Sequence, residues 1–318
     1  MCGIASILDI DGSSNKSINS MIDSINHRGP DHKETYLFDG VALASCRLSI
    51  FDLSEKGNMP MHDLSKRYVI IFNGEIYNFK DLKKQYNIQT KSSSDTEVLI
   101  ELFSKIGVKS FNLINGIYSF IILDKLEKKL FCVRDRMGVK PLYFSKEDNR
   151  YYFCSEIKGI KKVLKKIEIN EELVKYYLST SYYDFSKETF YKNIFQVKQG
   201  TYLEFNLNKN TFHEKKYWDL TISENKSSSL DLHKLFKNSF NLQQQTDTKI
   251  GINVSSGIDS NLMISYLNQI NGGQKEIKAN SLFYSDPGFD HRDDLSEMSK
   301  YYKWKIDLFE KIGRAHLN

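Results

Sequence analysis

Met1-Cys2-Gly3-Ile4-Ala5-Ser6-Ile7-Leu8-Asp9 opens the chain, and the reading of this stretch decides the rest. Residues 3–8 are small, β-branched or apolar and give way to an acid at position nine, the composition of a short strand. No basic leader precedes the run, so it is not expected to be a secretory signal. Methionine aminopeptidases remove Met1 when the next residue is small, which would leave Cys2 carrying both a thiol and a free α-amino group. With a pKa of about 8, such an amine can take the thiol's proton directly or through one water, so a single residue would hold nucleophile and base. Taken alone, a cysteine here reads equally as a small apolar residue opening a strand.

Downstream, residues 41–45, 68–72, 119–123, 130–134 and 151–154 are again rich in β-branched and aromatic residues and bounded by Gly, Asn, Asp or Ser, which predicts further strands. Helices are predicted between them. Apolar residues recur at helical spacing at Ile18, Met21, Ile22 and Ile25, and again at Val98, Leu99, Leu102 and Phe103. Residues 1–205 therefore read as one α+β domain. Residues 206–229 are polar, interrupted only by Tyr217-Trp218, and read as a locally packed linker. Residues 230–318 read as a second domain, with a helix at 230–245, a strand at 249–254, a tight polar loop at 255–260, a helix at 261–269, a strand at 278–284 and a helix at 293–302. Strand, loop, helix, strand is the βαβ pattern of a parallel sheet.

Composition agrees with two folded domains. The length of 318 residues compares with roughly 150 per domain. Hydrophobic residues at 40% and charged residues at 27% exclude a disordered or fibrous chain. Against 40 acidic side chains stand 45 basic ones, mostly scattered lysines, and a net charge of +5 spread this way does not make a nucleic-acid-binding surface. The longest apolar runs are strand-length, so no membrane segment is expected. Four cysteines, at 2, 46, 132 and 154, lack the Cys-x-x-Cys spacing of a zinc site or a disulfide framework. Cys46, Cys132 and Cys154 fall in strand-like segments and read as core, and a reducing cytoplasm is the expected location.

Polar segments lie beside the predicted strands: His27-Arg28-Gly29-Pro30-Asp31, Arg47-Leu48-Ser49-Ile50-Phe51-Asp52, Asn73-Gly74-Glu75-Ile76-Tyr77-Asn78 and Ser94-Asp95-Thr96-Glu97. Each has a local reading. Asn73-Gly74 can be a type I′ turn, Asp95 a helix N-cap, and Arg47 a surface ion-pair partner. Together they resemble the class II glutamine amidotransferase domain, the glutaminase half of asparagine synthetase and its relatives. The resemblance runs from Cys2 to about Tyr202 in the family's order. It takes in Asn115-Gly116-Ile117-Tyr118-Ser119-Phe120, Val133-Arg134-Asp135-Arg136-Met137-Gly138-Val139-Lys140-Pro141-Leu142-Tyr143 and Phe153-Cys154-Ser155-Glu156-Ile157-Lys158.

The resemblance implies an N-terminal-nucleophile hydrolase domain, with stacked antiparallel sheets and flanking helices. Cys2 would attack the glutamine side-chain amide, form a glutamyl thioester and release ammonia. Asn73 and Gly74 would supply the oxyanion hole. Arg47 would clamp the α-carboxylate, with Leu48, Ser49, Ile50 and Phe51 beside it in the glutamine pocket. Glu75 and Asp95 would hold the α-ammonium, and the loop at 28–31 would close over the substrate.

In the second domain, Val254-Ser255-Ser256-Gly257-Ile258-Asp259-Ser260 lies between a predicted strand and helix, where backbone N–H groups and a helix N-terminus can meet phosphate. No Gly-Lys-Ser/Thr follows, so it is not a Walker A loop. It resembles the Ser-Gly-Gly-x-Asp-Ser pyrophosphate loop of ATP pyrophosphatases, with Ser256 in place of the first glycine, and hence the start of an α/β parallel-sheet domain. That resemblance implies ATP as its Mg²⁺ complex. Val254 and Leu282 would contact adenine or ribose through backbone groups, and Ser255, Gly257, Asp259 and Ser260 would meet phosphate or its magnesium. The Ser256 hydroxyl can donate to a phosphate oxygen.

The two domains in this order resemble asparagine synthetase, which implies aspartate as acceptor, amidated through a β-aspartyl adenylate, and leaves a homodimer open. Synthetase domains of that family continue well past the motifs found here, so this chain is expected to be the N-terminal part of a longer, here truncated, synthetase. Another carboxylate acceptor such as a sugar acid, glutaminase activity alone, and a non-enzymatic binding role stay open.

Overall fold

A strand buried along its whole length, as Gly3–Asp9 is, needs cover on both of its faces, and the architecture follows from that requirement. In a computed structural model that describes residues 1–9, 15–209, 211–221, 231–271, 277–284 and 290–310, the chain divides into two units, Met1–Ile222 and Ser223–Asn318. The first begins with β1 (Gly3–Asp9), α1 (Asn15–Ser24), β2 (His32–Phe38), β3 (Val41–Arg47), β4 (Met61–His62) and β5 (Tyr68–Ile76). It continues through α2 (Phe79–Gln85), α3 (Asp95–Ile106), β6 (Gly116–Asp124), β7 (Lys129–Arg134), β8 (Tyr143–Glu147) and β9 (Arg150–Cys154). Two short helices, α4 (Ile157–Lys161) and α5 (Glu171–Thr180), precede β10 (Ile194–Gln196), β11 (Thr201–Asn206) and β12 (Thr211–Lys216).

Among the described residues these strands make two six-stranded antiparallel sheets, ordered β10-β8-β9-β1-β3-β2 and β12-β11-β7-β6-β5-β4. Period-two alternation then builds the layers. Ile4, Leu8 and Leu43 of the first sheet pack against Val69, Ile71, Ile121 and Leu123 of the second. The intervening Ala5 and Ile7 of β1 pack with Ile18, Met21, Ile22 and Ile25 of α1 and its C-terminal end, the helical stripe read from the sequence. On the far side, Ile70 and Phe72 of β5 meet Val98, Leu99, Leu102 and Phe103 of α3. Helix, sheet, sheet, helix is the stacked arrangement expected of an N-terminal-nucleophile hydrolase.

The first unit extends further than the sequence reading had it. Part of the expected 206–229 linker is β12, which pairs with β11 from Thr201↔Lys216 to Asn206↔Thr211. Every β12 residue is exposed, so this edge strand carries no apolar alternation by which to recognise it. Tyr217, just beyond it, donates its hydroxyl to the Arg134 carbonyl at 2.8 Å and packs on the α3-side core. Residues 222–229 of the expected linker lie outside the described residues.

The second unit comprises α6 (Leu232–Gln243), β13 (Gly251–Asn253), α7 (Ile258–Asn271), β14 (Lys278–Phe283), α8 (Arg292–Tyr302) and β15 (Ile306–Glu310). Its strands form a parallel sheet, β13-β14-β15, the last strand being one the sequence reading did not anticipate. Ile252, Val254, Ile264, Leu267, Ala279, Leu295 and Met298 form its core. No described helix is long and apolar enough to cross a membrane.

The inter-sheet layer makes a direct stability prediction. Leu43 is fully buried there, so Leu43→Ala should lower first-unit stability by about 2–5 kcal/mol in urea titrations followed by circular dichroism. Leu126→Ala, at a side chain 71% exposed, should stay within about 0.5 kcal/mol of the parent.

Candidate active site

The ends of three strands and the start of one helix converge on a single pocket. Cys2 precedes β1, Arg47 ends β3, Asn73, Gly74 and Glu75 lie near the end of β5, and Asp95 opens α3. All six line the pocket, together with Leu48, Ile50 and Phe51. Of the residues expected around glutamine, Ser49 alone is not among the lining. Its amide donates instead to the Asp31 carboxylate at 2.7 Å.

Cys2 is half-buried, and the Leu48 amide donates to its sulfur at 3.4 Å. Burial pushes the thiol's pKa up, and the Leu48 hydrogen bond and the nearby N-terminal ammonium pull it back. That ammonium, carried here by Met1, is itself pushed down by burial, with Lys140 and Arg28 adding to the effect. A lowered amine is more often neutral near pH 7 and so better able to accept a proton.

Asn73 is no turn residue. Strand β5 runs on through Ile76, and each of its residues pairs with β6, Asn73 opposite Ser119 and Gly74 opposite Tyr118. The Asn73 side chain is wholly buried, and neither its Nδ2 nor its Oδ1 has a hydrogen-bond partner among the described residues. An orphaned amide of this kind costs about 1–3 kcal/mol of desolvation, and it lies in the same pocket as the Cys2 thiol. At Gly74 the demand is close approach rather than unusual φ. A Cβ there would overlap the Ile117 carbonyl oxygen and sit 2.6 Å from Tyr118 Cα.

Arg47 is buried, which excludes a surface ion pair. Its Nη1 donates to the Ser54 carbonyl and to Asn58 Oδ1, both at 2.9 Å, and its Nη2 to the carbonyls of Phe51, at 3.0 Å, and Asp52. The guanidinium thus organises the loop at 51–58. A carboxylate would meet it through Nε or by exchanging with these acceptors. Gly57 is glycine because a Cβ would collide with this guanidinium.

The helix cap at α3 is Ser94, whose hydroxyl accepts from the Thr96 amide at 3.1 Å, so Asp95 is free of that duty. Asp95 Oδ2 accepts from the Ile76 amide at 2.8 Å. Burial pushes its carboxyl up to about 6, against the opposing pull of the Ile76 and Thr96 amides and with the Glu75 charge adding to the rise. Glu75 is likewise pushed up by burial and partly drawn back by Lys140, whose ammonium is itself pushed down by burial. Lys140, buried and lining the pocket, was quoted in the sequence only as part of a motif and given no role. A lysine in the turn after β7 carries no signal of burial.

The loop at 28–31, expected as a lid, is laid against the site. Arg28 Nε donates to the Cys2 carbonyl at 2.9 Å, and the Asp31 amide to the Arg47 carbonyl at 3.0 Å.

The second unit brings its own motif residues together. Val254 to Gly257 join β13 to α7, and Asp259 and Ser260 lie in the helix's first turn. The Ser255 amide donates to Ser260 Oγ at 2.9 Å, and the two hydroxyls are 3.0 Å apart. Asn261 Nδ2 ties down the Ser256 and Gly257 carbonyls at 3.2 and 3.1 Å. Leu282 is exposed on the adjacent strand β14. Among the described residues no group of three or more His, Cys, Asp or Glu side chains is poised to hold a metal.

The raised Asp95 carboxyl fixes a sign. Its proton is bound more tightly in the folded chain than in the unfolded one, where an Asp titrates near 3.8, so its contribution falls as pH rises from about 4 to about 6 and stays low above that. Asp95→Asn should therefore stabilise the first unit at pH 7.5 by on the order of 2–3 kcal/mol more than at pH 4, in urea titrations run at both values.

A family model of the glutamine amidotransferase domain matches residues 1–218. The chain is similar to a putative glutamine-hydrolyzing asparagine synthetase 2 of Methanocaldococcus jannaschii, 33% identical over 85% of this chain and 57% of that protein. It is also similar to the glutamine-hydrolyzing asparagine synthetase 2 of Bacillus subtilis, 34% identical over 82% of this chain and 38% of that one. It thus spans about half the length of these relatives or less. Among solved structures, the glutamine phosphoribosylpyrophosphate amidotransferase of B. subtilis shares the fold, with a TM-score of 0.53 at 14% identity over 97% of this chain and 81% of that chain. The pocket around Cys2 and Asn73 lies wholly inside the matched region, and the chain belongs to the glutamine amidotransferase domain family.

Proposed function

We propose that the first unit hydrolyses glutamine at Cys2 and that the second contributes to an ATP-dependent amidation in which the released ammonia is used. The observation that carries the glutaminase reading is Asn73, a buried amide with no partner of its own, in the same pocket as a cysteine that a single processing step would make N-terminal.

Once Met1 is removed, the Cys2 amine takes the thiol proton, and the thiolate attacks the carbonyl carbon of the glutamine side-chain amide. Negative charge develops on that oxygen, where Asn73 Nδ2–H and the Gly74 N–H donate. Collapse of the adduct expels ammonia, protonated by the Cys2 ammonium, and leaves a glutamyl thioester. Water then attacks the thioester with the amine again as base, giving glutamate and the free thiol. Net, glutamine and water become glutamate and ammonia. Arg47 reads the α-carboxylate. Glu75 and Asp95 read the α-ammonium, which also favours ionised Asp95.

In the second unit, Ser255, Ser256, Gly257, Asp259 and Ser260 would receive the phosphates of ATP, with Val254 and Leu282 beside the base or ribose. The donor set fits a magnesium ion that arrives on the nucleotide. Asp259 is the one carboxylate of the loop, and Mg²⁺ bound to substrate phosphates commonly uses only one or two protein carboxylates. When bound, the ion neutralises phosphate charge. The acceptor we propose is aspartate, activated as its β-adenylate, which makes the whole reaction asparagine synthesis.

Cys2→Ala should reduce glutamate release, assayed without ATP, by at least about 10³-fold, and Asn73→Ala by about 10²–10³-fold in kcat with a smaller change in KM. Glutaminase activity surviving in Cys2→Ala, with Met1 verified absent from the parent by mass spectrometry, would falsify the nucleophile. Aspartate-dependent exchange of pyrophosphate into ATP tests the acceptor. Stimulation by a sugar acid and not by aspartate would replace it.

A further inference from the structure

Cys2 lies beyond the ladder that fixes its strand. The last β1–β3 pair is Gly3↔Cys46, and the last β1–β9 pair is Ala5↔Cys154. A terminal residue outside both registers turns about its own backbone bonds unless something else holds it. The Cys2 sulfur meets the Leu48 amide, and its backbone is held from the turn that follows β9. Ser155 clasps Ile4 twice, its Oγ accepting the Ile4 amide at 3.0 Å and its own amide donating to the Ile4 carbonyl at 2.9 Å. Its neighbour Glu156 acts one step further out. Arg28 Nη1 donates to Glu156 Oε1 at 3.0 Å, while Arg28 Nε donates to the Cys2 carbonyl at 2.9 Å.

Glu156 has two other cationic neighbours, and they differ in kind. His27 Nε2 is 2.9 Å from Oε1 and Lys158 Nζ 3.0 Å from Oε2, but those side chains are 55% and 48% exposed, whereas Arg28 is 8% exposed. Exposed pairs contribute little, and a buried guanidinium with no carboxylate to meet is strongly disfavoured. Arg28 has no reserve either, since its buried Nη2 already lacks a partner among the described residues. Without Glu156, Arg28 has a single fixed bond and every incentive to swing toward water.

We infer that Glu156 is a positioning residue for the nucleophile. It holds Arg28, Arg28 holds the Cys2 carbonyl, and that bond fixes the plane of the Cys2–Gly3 peptide, which together with the Leu48 amide on the sulfur sets the direction of the thiol within the pocket it shares with Asn73. Gly3 lets the backbone at this bond run close to the core, since a Cβ there would lie 2.6 Å from Cys46 Sγ and 2.8 Å from Ile25 Cδ1. The inference rests on the glutaminase reading, and it separates Glu156 from the residues that touch glutamine.

Misdirection of a nucleophile affects kcat and leaves substrate binding nearly unchanged. Glu156→Ala in the full chain should lower glutaminase kcat about ten-fold or more with KM within about two-fold. Glu156→Gln, which keeps an acceptor in place, should recover part of the loss. Inactivation by the glutamine analogue 6-diazo-5-oxo-norleucine should slow with kcat, while alkylation of Cys2 by iodoacetamide, which makes no demand on direction, should stay within about two-fold of the parent. Lys158→Met should behave as the parent. Equal kcat in Glu156→Ala and the parent overturns the inference, as does a loss in Lys158→Met as large as in Glu156→Ala. A fall in iodoacetamide alkylation parallel to kcat does so too, because it marks general loss of structure. A parent that releases no glutamate from glutamine removes the glutaminase reading and this inference with it, a result distinguishable from the others by the parent alone.

Discussion

The structure depends on one demand, that β1 be covered on both faces and paired on both edges. Ile4 and Leu8 need the second sheet, Ala5 and Ile7 need α1, and the strand's hydrogen-bonding groups need β3 on one side and β9 on the other. Meeting all four needs places the start of the chain in the middle of a sheet inside a four-layer body. A terminus in such a place is unusual, since chain ends commonly fray at the surface. Here the same burial that stabilises the strand brings the start of the chain and the Cys2 thiol to the pocket.

The pocket takes the opposite course from the core around it. The layers contain apolar side chains in alternation, whereas the site gathers an unpartnered amide at Asn73, two carboxylates raised by burial at Glu75 and Asp95, and a buried ammonium at Lys140. Each is unfavourable on its own. The surrounding packing must over-determine them for the arrangement to persist, and the tightly approached glycines show how it does so: neither position 57 nor position 74 has room for a single added carbon. The pocket thus places a guanidinium, at Arg47, and two carboxylates, at Glu75 and Asp95, on one lining.

Much of this was legible in the sequence, and what was not has identifiable physical causes. The apolar runs read correctly as strands because buried strands must be apolar, and the α1 and α3 stripes because each helix has one buried side. Asn73-Gly74 illustrates the limit of local chemistry. The pair is a common turn dipeptide, yet partner strand β6 continues opposite it, and only the longer motif pointed to a site. The strand at Thr211–Lys216 was read as linker because an exposed edge strand has no hydropathy pattern to betray it. Lys140, Gly57 and Glu156 were beyond reach for another reason: their importance lies in what they meet across long sequence separations, and no local propensity encodes that.

The pairing of β1 with β9 sets an order on events during synthesis. The β9 partners run from Arg150 to Cys154, so the ribosome must complete some 150 residues before β1 can have its second neighbour. At about 5–20 residues per second that interval is roughly 8–30 seconds, during which the central place in the sheet does not yet exist. The place of β1 is thus set by topology rather than by chain order: the first strand made waits for the ninth to complete it, and the centre of the sheet exists only once most of the first unit has been synthesised.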